Sequence, residues 1–128
     1  MRYVLYARKS SEDKGKQILS IRSQIEEIKK TFPGINIAKI FEESRSAYKP
    51  YNRPEFDKVL NFIQDGKADG IVAWHPDRLS REPITGGQIM HYLDSGVIKD
   101  LKFCTFAFQN TAEGKLMLNF MLSQSKYF

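Results

Sequence analysis

Two short stretches of this sequence place arginines among polar residues directly after an apolar run. The first is YARKSS, from Tyr6 to Ser11, and the second is WHPDRLSR, from Trp74 to Arg81. In open α/β sheets, ligands bind outside the carboxyl ends of the strands. If both apolar runs are strands of one sheet, the two stretches point to a single site for an anion. The alternative is that each is an ordinary polar loop that leaves the core.

The arginines, serine and aspartate of these stretches, with one arginine from an intervening loop, suit phosphodiester chemistry. Guanidinium groups bind phosphate oxygens bidentately and stabilise charge without a metal. A serine hydroxyl can be the nucleophile that divides one transfer into two steps through a covalent ester. The candidates are Arg8, Ser10, Arg53, Asp77, Arg78 and Arg81. The two histidines of the chain lack ligand-like partners at useful spacing, so we expect no metal and no cofactor.

The elements that must position these residues alternate between strand and helix. Apolar runs and period-two alternation predict strands at residues 4–7, 35–41, 70–75 and 101–108. Ser20 is a predicted N-cap, and Pro54 and Pro83 are predicted to open two further helices. The sequence therefore predicts an α/β fold in three layers, with a mostly parallel twisted sheet of four to five strands and helices on both faces.

The last segment, from Ala112 to Phe128, is helical in composition but has apolar residues on almost every side. These residues are Leu116, Met117, Leu118, Phe120, Met121 and Leu122. A single small sheet cannot cover so much of one helix, and an exposed apolar patch usually marks an interface. We therefore expect a C-terminal oligomerisation helix and a homo-oligomer.

Composition limits the class of protein. With 128 residues, 41% hydrophobic and 27% charged, the chain is expected to form one domain. It has no apolar run near the roughly 20 residues of a membrane helix, so no membrane partner is expected. Cys104 is the single cysteine, which rules out a disulfide framework and favours a reducing, cytoplasmic location. The net charge of +5 comes from residues 1–50, with 11 Lys or Arg against 6 Asp or Glu, and agrees with a polyanionic partner.

Taken in order, the motifs resemble the catalytic domain of the serine recombinases, the resolvase and invertase family. They are YARKSS, SIRSQ, ESRSAYKPYNRPEFDKVL and DRLSR, and the likeness is greatest to the large integrase or cassette-recombinase branch. Each motif alone is weak, but their ordered combination is specific and spans nearly the whole chain. The resemblance implies a catalytic domain of a site-specific DNA recombinase over residues 1–128, without the DNA-binding region that ordinarily follows it.

The resemblance also implies a reaction and a set of roles. Ser10 would attack a DNA phosphate, form a 5′-phosphoseryl link and free a 3′ hydroxyl. The phosphate-clamping arginines, the acidic partner, the glutamine near the site and a supporting serine would be Arg8, Arg53, Arg78, Arg81, Asp77, Gln24 and Ser44. Arg45 stands where the family often has a glycine after that serine. The implied partners are double-stranded DNA and other copies of the chain, as a dimer and, in synapsis, a tetramer.

Alternatives remain open at the level of function and of single residues. The chain could be a non-catalytic DNA-binding or interaction module with a resolvase-like fold, although such a module would not need Ser10 and four arginines. A metal-dependent nuclease or phosphatase is disfavoured by the missing carboxylate cluster. Asp77 is either a proton carrier or a salt-bridge partner that orients a neighbouring arginine. Gln24 is either a site residue or a solvated residue, and Ser11 is interpreted as a loop hydrogen bonder.

Overall fold

A computed structural model describes residues 1–13, 18–48 and 50–123. Within these residues, strands and helices alternate in chain order. The strands are β1 (Tyr3–Arg8), β2 (Ile37–Glu43), β3 (Gly70–Ala73) and β4 (Asp100–Phe103). The helices are α1 (Ile21–Thr31), α2 (Pro54–Gln64), α3 (Pro83–Asp94) and α4 (Ala112–Ser123). Two short 3₁₀ turns, a first turn at Ser11–Asp13 and a second turn at Pro76–Arg78, follow β1 and β3.

The four strands form one sheet in the order β2-β1-β3-β4, and every neighbouring pair is parallel. The chain leaves β1 to build β2 on one side and then crosses to build β3 on the other. The boundary between β1 and β3 is therefore the topological switch point, where ligands bind in sheets of this kind. The sheet confirms the predicted α/β fold class and brings the ends of the two arginine-bearing strands together.

Helices cover both faces of the sheet, so β1 is buried on both of its sides. Leu5 and Ala7 belong to an apolar cluster with Ile28 of α1. Val4 and Tyr6 face the opposite side, in a larger cluster that also contains residues of α2, α3 and α4. The three-layer arrangement that the sequence predicts is thus confirmed.

The predicted helix starts are also confirmed. Ser20 caps α1, with its Oγ accepting from Ser23 N at 3.1 Å. Pro54 and Pro83 occupy the first turn of α2 and α3, where a missing N–H costs nothing because those amides have no partner within the helix.

The predicted boundaries of three strands are wrong by two residues or more. β2 runs from Ile37 to Glu43 and not from residue 35 to 41, β3 ends at Ala73 and not at residue 75, and β4 stops short of residue 108. The start of β2 and the end of β4 each have a hydrogen-bonding reason. β2 starts at Ile37, because Ile35 N donates to Phe32 O at 3.2 Å and closes the turn after α1. β4 ends at Phe103 and does not run to residue 108. The amides of Cys104 and Thr105 instead donate to Trp74 O, at 3.1 and 3.3 Å, which turns the chain away from the ladder.

Helix α4 completes the core of its own subunit with one face. Leu118 and Leu122 are fully buried in the cluster that includes α3, so the expectation that these two residues face another subunit is wrong. Leu116, Met117 and Phe120 remain 73%, 54% and 54% exposed. Residues 124–128 of the predicted interface lie outside the described residues. No helix in the described ranges is long and apolar enough to cross a membrane.

Candidate active site

The end of β1 and the second 3₁₀ turn hold each other through two arginines. Arg8 Nε donates to Arg78 O at 3.0 Å, and Arg78 Nη1 donates to Arg8 O at 2.9 Å. Arg8 Nη2 also donates to Asp77 O at 2.7 Å. Both arginine side chains are fully buried. The structure therefore brings together the two stretches that the sequence assigns to one site.

Arg53 reaches the same turn from the start of α2. It is 3% exposed, and its guanidinium donates to Tyr6 Oη, Arg78 O and Leu79 O. The guanidinium carbon lies 4.2 Å from the centre of the Phe56 ring, a cation–π distance. In this conformation the donors of Arg53 therefore brace the second 3₁₀ turn from inside the protein.

Arg81 differs from these three arginines because its side chain is 15% exposed. Its guanidinium carbon lies 4.2 Å from the centre of the Tyr48 ring, and Nη1 lies 3.9 Å from Asp13 Oδ1. Stacking of this kind holds a guanidinium plane in place while leaving edge donors available. Of the four candidate arginines, Arg81 therefore has the best access to a ligand in this conformation.

Asp13 is a member of the site that the sequence interpretation missed. Its side chain is fully buried, and Oδ2 accepts from both Ser10 N and Arg78 Nη1 at 3.0 Å. Oδ1 accepts from Arg78 Nη2 at 3.3 Å. The available signal was an aspartate three residues after the candidate nucleophile, in a loop that must lie beside an arginine-rich turn. Such a loop aspartate is usually solvated, which is why the sequence alone does not distinguish it.

Ser10 carries a hydroxyl that is buried but unused. Its Oγ makes no hydrogen bond to any residue in the described part of the chain. Leaving a buried hydroxyl without a partner costs free energy, and native structures rarely do so without a reason. Ser11, by contrast, begins the first 3₁₀ turn and is exposed. An unpaired hydroxyl at the edge of an arginine cluster is suited to meet a ligand.

Asp77 lies between a histidine and an arginine. Its Oδ1 is 2.9 Å from Arg78 Nε and 3.1 Å from His75 Nδ1. The same His75 nitrogen lies 3.0 Å from Asp77 N, so it accepts from that amide when unprotonated and binds the carboxylate only when protonated. Burial opposes ionisation of Asp77, but the contacts of its carboxylate with His75, when that ring is protonated, and with Arg78 outweigh burial and hold the pKa below its ordinary value. These contacts favour the interpretation of Asp77 as the salt-bridge partner that orients Arg78.

Gln24 is buried, so the interpretation as a solvated residue is wrong. Its Oε1 accepts from Arg8 N at 3.3 Å, and Nε2 donates to Arg8 O at 2.9 Å and Leu19 O at 3.0 Å. The side chain thus pairs with the last residue of β1 as a neighbouring strand would. Ser44 lies exposed just beyond β2 and makes none of the hydrogen bonds that join the other candidates.

The charged groups of the site are closely packed, with four arginines against the carboxylates of Asp13 and Asp77. Burial and the nearby charges of Arg78 and Arg53 lower the pKa of Arg8 to about 10, so it stays protonated at neutral pH. Burial opposes the charge on Asp13 as well, yet its hydrogen bonds from Arg78 and Ser10 N lower the carboxyl pKa. Within the described residues, no group of three or more His, Cys, Asp or Glu side chains is arranged to hold a metal ion. The arrangement can bind and stabilise an anion through guanidinium and backbone groups.

Comparison with known proteins identifies the same kind of domain. The family model described as the resolvase N-terminal domain matches residues 3–127. The N-terminal catalytic domain of TP901-1 integrase has a similar structure, with a TM-score of 0.70 and 21% identity, covering 94% of this chain and 91% of that one. The C-terminal catalytic domain of ISC1926 TnpA, an IS607-like serine recombinase, has a TM-score of 0.64 and 20% identity, covering 92% and 79%. A serine recombinase from Sulfolobus solfataricus has a TM-score of 0.60 and 18% identity, covering 91% and 76%. No curated protein matches the chain by sequence.

Proposed function

Because the chain belongs to the resolvase N-terminal domain family and is a serine site-specific recombinase catalytic domain, we propose that it cleaves and rejoins double-stranded DNA through Ser10. The observation that carries this proposal is the Ser10 Oγ, which is buried without a hydrogen-bond partner among the described residues. It follows the strand that delivers Arg8 to the switch point of the sheet. A hydroxyl kept free at this place is available for nucleophilic attack.

The proposed reaction is a reversible transesterification. The Ser10 oxygen attacks phosphorus and loses its proton, while the bond from phosphorus to the 3′ oxygen breaks and that oxygen leaves as a 3′ hydroxyl. The 5′ phosphate remains on Ser10 as a diester, so rejoining to a 3′ hydroxyl simply reverses the step. One phosphate ester replaces another, and no external energy source or cofactor is required by the chemistry.

We propose two different roles for the arginines in stabilising the charge of the phosphate. Arg81, which retains exposed surface, is suited to contact the non-bridging oxygens of the phosphate directly. Arg8, Arg53 and Arg78 donate to protein oxygens here and hold the second 3₁₀ turn in place. Their positive charge still favours a phosphate and a serine alkoxide nearby, because preorganised charges act strongly in a site that excludes water.

Strand exchange between two duplexes requires more than one copy of the catalytic domain. We therefore propose that the protein forms a homo-oligomer, a dimer that pairs to a tetramer in synapsis, with the exposed face of α4 as part of the contact. Leu116, Met117 and Phe120 support this proposal because they leave an apolar surface on that helix. We also propose a cytoplasmic location, which the single cysteine of the chain supports because it favours a reducing compartment.

A second function is favoured by one specific observation. Arg8, Arg53 and Arg78 are buried and donate hydrogen bonds to protein oxygens, as they would in a domain that binds partners without catalysis. Such a domain would keep the fold and the arginine network but would form no covalent bond with DNA. Formation of a covalent adduct therefore separates the two functions.

Ser10→Ala in the intact recombinase tests the proposed function. On a suicide substrate that traps the cleaved strand, we expect the wild-type protein to form a covalent protein–DNA adduct in excess EDTA. Ser10→Ala should form none, because the nucleophile is missing, and should keep the melting temperature of the wild type. Ser11→Ala is the matched control and should form the adduct. An adduct that survives in Ser10→Ala and disappears in Ser11→Ala would move the role to Ser11, and strict dependence on added Mg²⁺ would contradict a metal-free site.

A further inference from the structure

Asp13 is a buried carboxylate for which the proposed reaction gives no direct use. Its side chain has no exposed surface, and it ends the first 3₁₀ turn, three residues after Ser10. A carboxylate is also repelled by the phosphate that the site is proposed to bind. Any contribution of Asp13 to the reaction must therefore act through the groups that it contacts.

Those contacts join the nucleophile loop to the arginine turn. Oδ2 accepts from Ser10 N and from Arg78 Nη1, both at 3.0 Å, while Oδ1 accepts from Arg78 Nη2 at 3.3 Å. Two parallel bonds from one guanidinium fix the carboxylate in orientation as well as distance. One side chain thus sets the position of the Ser10 main chain relative to the Arg78 guanidinium.

The Ser10 side chain provides no anchor of its own. Its Oγ has no hydrogen-bond partner among the described residues, so no bond of its own fixes the side chain and its place in the site follows from the main chain. That main chain is held twice by the same residue, because Ser10 N donates to Asp13 Oδ2 and Asp13 N donates to Ser10 O at 3.1 Å. The position of the Ser10 main chain, and with it the point from which the hydroxyl extends, is therefore held directly by Asp13.

We propose that Asp13 is a positioning residue for DNA cleavage, which holds Ser10 against Arg78 and so sets the direction from which the hydroxyl meets the phosphate. This inference rests on the proposed role of Ser10 as the nucleophile. It differs from a charge-balancing role, in which any carboxylate near Arg78 would serve equally well.

Asp13→Glu separates position from charge. Glutamate keeps the negative charge beside Arg78 but moves the carboxylate by one methylene, so it cannot hold the Ser10 amide in the same place. Because a misplacement of about 1 Å at a reacting group costs about 100-fold in rate, we expect adduct formation on the suicide substrate to slow by about that factor. The dissociation constant for the uncleaved DNA should stay at the wild-type value. A wild-type cleavage rate in Asp13→Glu would overturn the inference, and so would faster cleavage, which would mean that the carboxylate competes with the phosphate.

Glu82→Gln is the matched control for loss of a buried carboxylate that caps a helix and does not hold Ser10 or Arg78. Glu82 is 1% exposed and accepts from Ile84 N at 2.7 Å and Thr85 N at 2.9 Å at the start of α3, without contacting an arginine of the site. We expect Glu82→Gln to lower the melting temperature but to cleave at the wild-type rate. Equal slowing in both variants would show a general effect of destabilisation and would overturn the inference.

A comparison with Ser10→Ala and one further measurement keep the outcomes distinct. If Ser10→Ala still forms the adduct, the proposed role of Ser10 as the nucleophile is wrong. If Ser10→Ala forms no adduct but Asp13→Glu cleaves at the wild-type rate, the proposed role of Ser10 stands and only the inference about Asp13 is wrong. Should Asp13→Glu not fold, amide hydrogen exchange of the wild-type protein replaces it. We expect the Ser10 amide to exchange slowly because Asp13 holds it, and exchange as fast as in an unprotected loop would overturn the inference.

Discussion

At the scale of single residues, the buried arginines of this site donate their hydrogen bonds to the protein itself. Arg8 donates to main-chain oxygens on two segments, at Arg78 O and Arg45 O, with distances of 3.0 and 3.2 Å. A guanidinium can do this because it presents five donors in a rigid planar fork, whereas an ammonium group is a point charge. The side chains that make the site electropositive are therefore the same ones that fix its shape. Charge and geometry cannot be changed independently at Arg8 or Arg78.

Arg78→Lys and Arg81→Lys should slow adduct formation to a similar extent, but Arg78→Lys should lower the free energy of unfolding more than Arg81→Lys does. Loss of one preorganised donor at a site of this kind costs about 100-fold or more in rate, so we expect both variants to form the adduct at least that much more slowly. Arg78 is fully buried with partners at Asp13, Asp77 and Arg8 O, and leaving those groups unpaired should cost roughly 1–3 kcal/mol of unfolding free energy. The Arg81 side chain retains solvent access, so Arg81→Lys should lower the free energy of unfolding only slightly. Adduct kinetics and urea denaturation measure the two effects, and a near-normal rate in Arg81→Lys would show that it serves only general electrostatics.

The sequence was informative about residues that follow a strand and uninformative about residues that depend on loop geometry. Arg8 and Arg78 could be paired in advance because the carboxyl ends of parallel strands meet at one edge. The contact between Asp13 and Arg78 could not be predicted, because it spans 65 positions in the chain and depends on the path of the first 3₁₀ turn. The burial of Gln24 was equally hidden, since a polar residue on a helix is ordinarily solvated.

At the scale of elements, the site depends on how closely the strands behind it approach one another. β3 begins at Gly70, which is paired with Tyr3 of β1 and with Asp100 of β4. A Cβ atom added at Gly70 would lie 2.6 Å from Asp100 O and 2.8 Å from a ring carbon of Tyr3. Backbone cannot move aside as a flexible side chain can. The absence of a side chain at this position therefore lets β3 lie between its neighbours and carry the second 3₁₀ turn to Arg8.

Gly70→Ala and Gly87→Ala should change stability in opposite directions. Overpacking of a close contact typically costs about 1–3 kcal/mol, so we expect Gly70→Ala to lower the free energy of unfolding by about that amount. Gly87 lies inside α3, and a Cβ there would meet nothing within 4 Å. Alanine is favoured over glycine within a helix by about 1 kcal/mol, so Gly87→Ala should stabilise the domain. Urea denaturation of both variants measures the difference, and an unchanged midpoint for Gly70→Ala would mean that β3 and β4 can separate without loss.

The elements themselves were largely predictable, and the exceptions have local causes. Caps and prolines marked the starts of α1, α2 and α3 correctly, because those signals act within one turn of the helix. The length of β4 was overestimated because six of the eight residues of LKFCTFAF are apolar, and composition does not record where a neighbouring segment competes for hydrogen bonds. Trp74 O takes the amides of Cys104 and Thr105, and that competition is visible only in three dimensions.

At the scale of the whole molecule, one fold places two surfaces with separate roles. The switch point between β1 and β3 gathers the candidate active site at the carboxyl edge of the sheet. Helix α4 packs on α3 with Leu118 and Leu122 and presents a different set of apolar residues outward. α4 also lies within hydrogen-bond distance of the segment after the arginine turn, because Ser80 Oγ is 3.0 Å from Leu122 O and 2.9 Å from Glu82 O, and its single proton can serve either oxygen. A contact made by the outer face of α4 therefore lies one hydrogen bond away from the segment that carries Arg78 and Arg81.

Leu116→Glu or Phe120→Glu should shift the protein from oligomer to monomer without unfolding it. The two side chains are 73% and 54% exposed and lie four residues apart, hence on one face of α4, so a charge there disrupts an apolar contact but not the core. Sedimentation velocity over a concentration series measures the association, and circular dichroism checks that the fold is kept. Asn61→Glu, which adds the same charge at an exposed position on α2, is the control and should associate as the wild type does. If the wild-type protein stays monomeric at the highest concentration, the outward face of α4 is not a self-association surface, and the helix serves only to complete the core through Leu118 and Leu122.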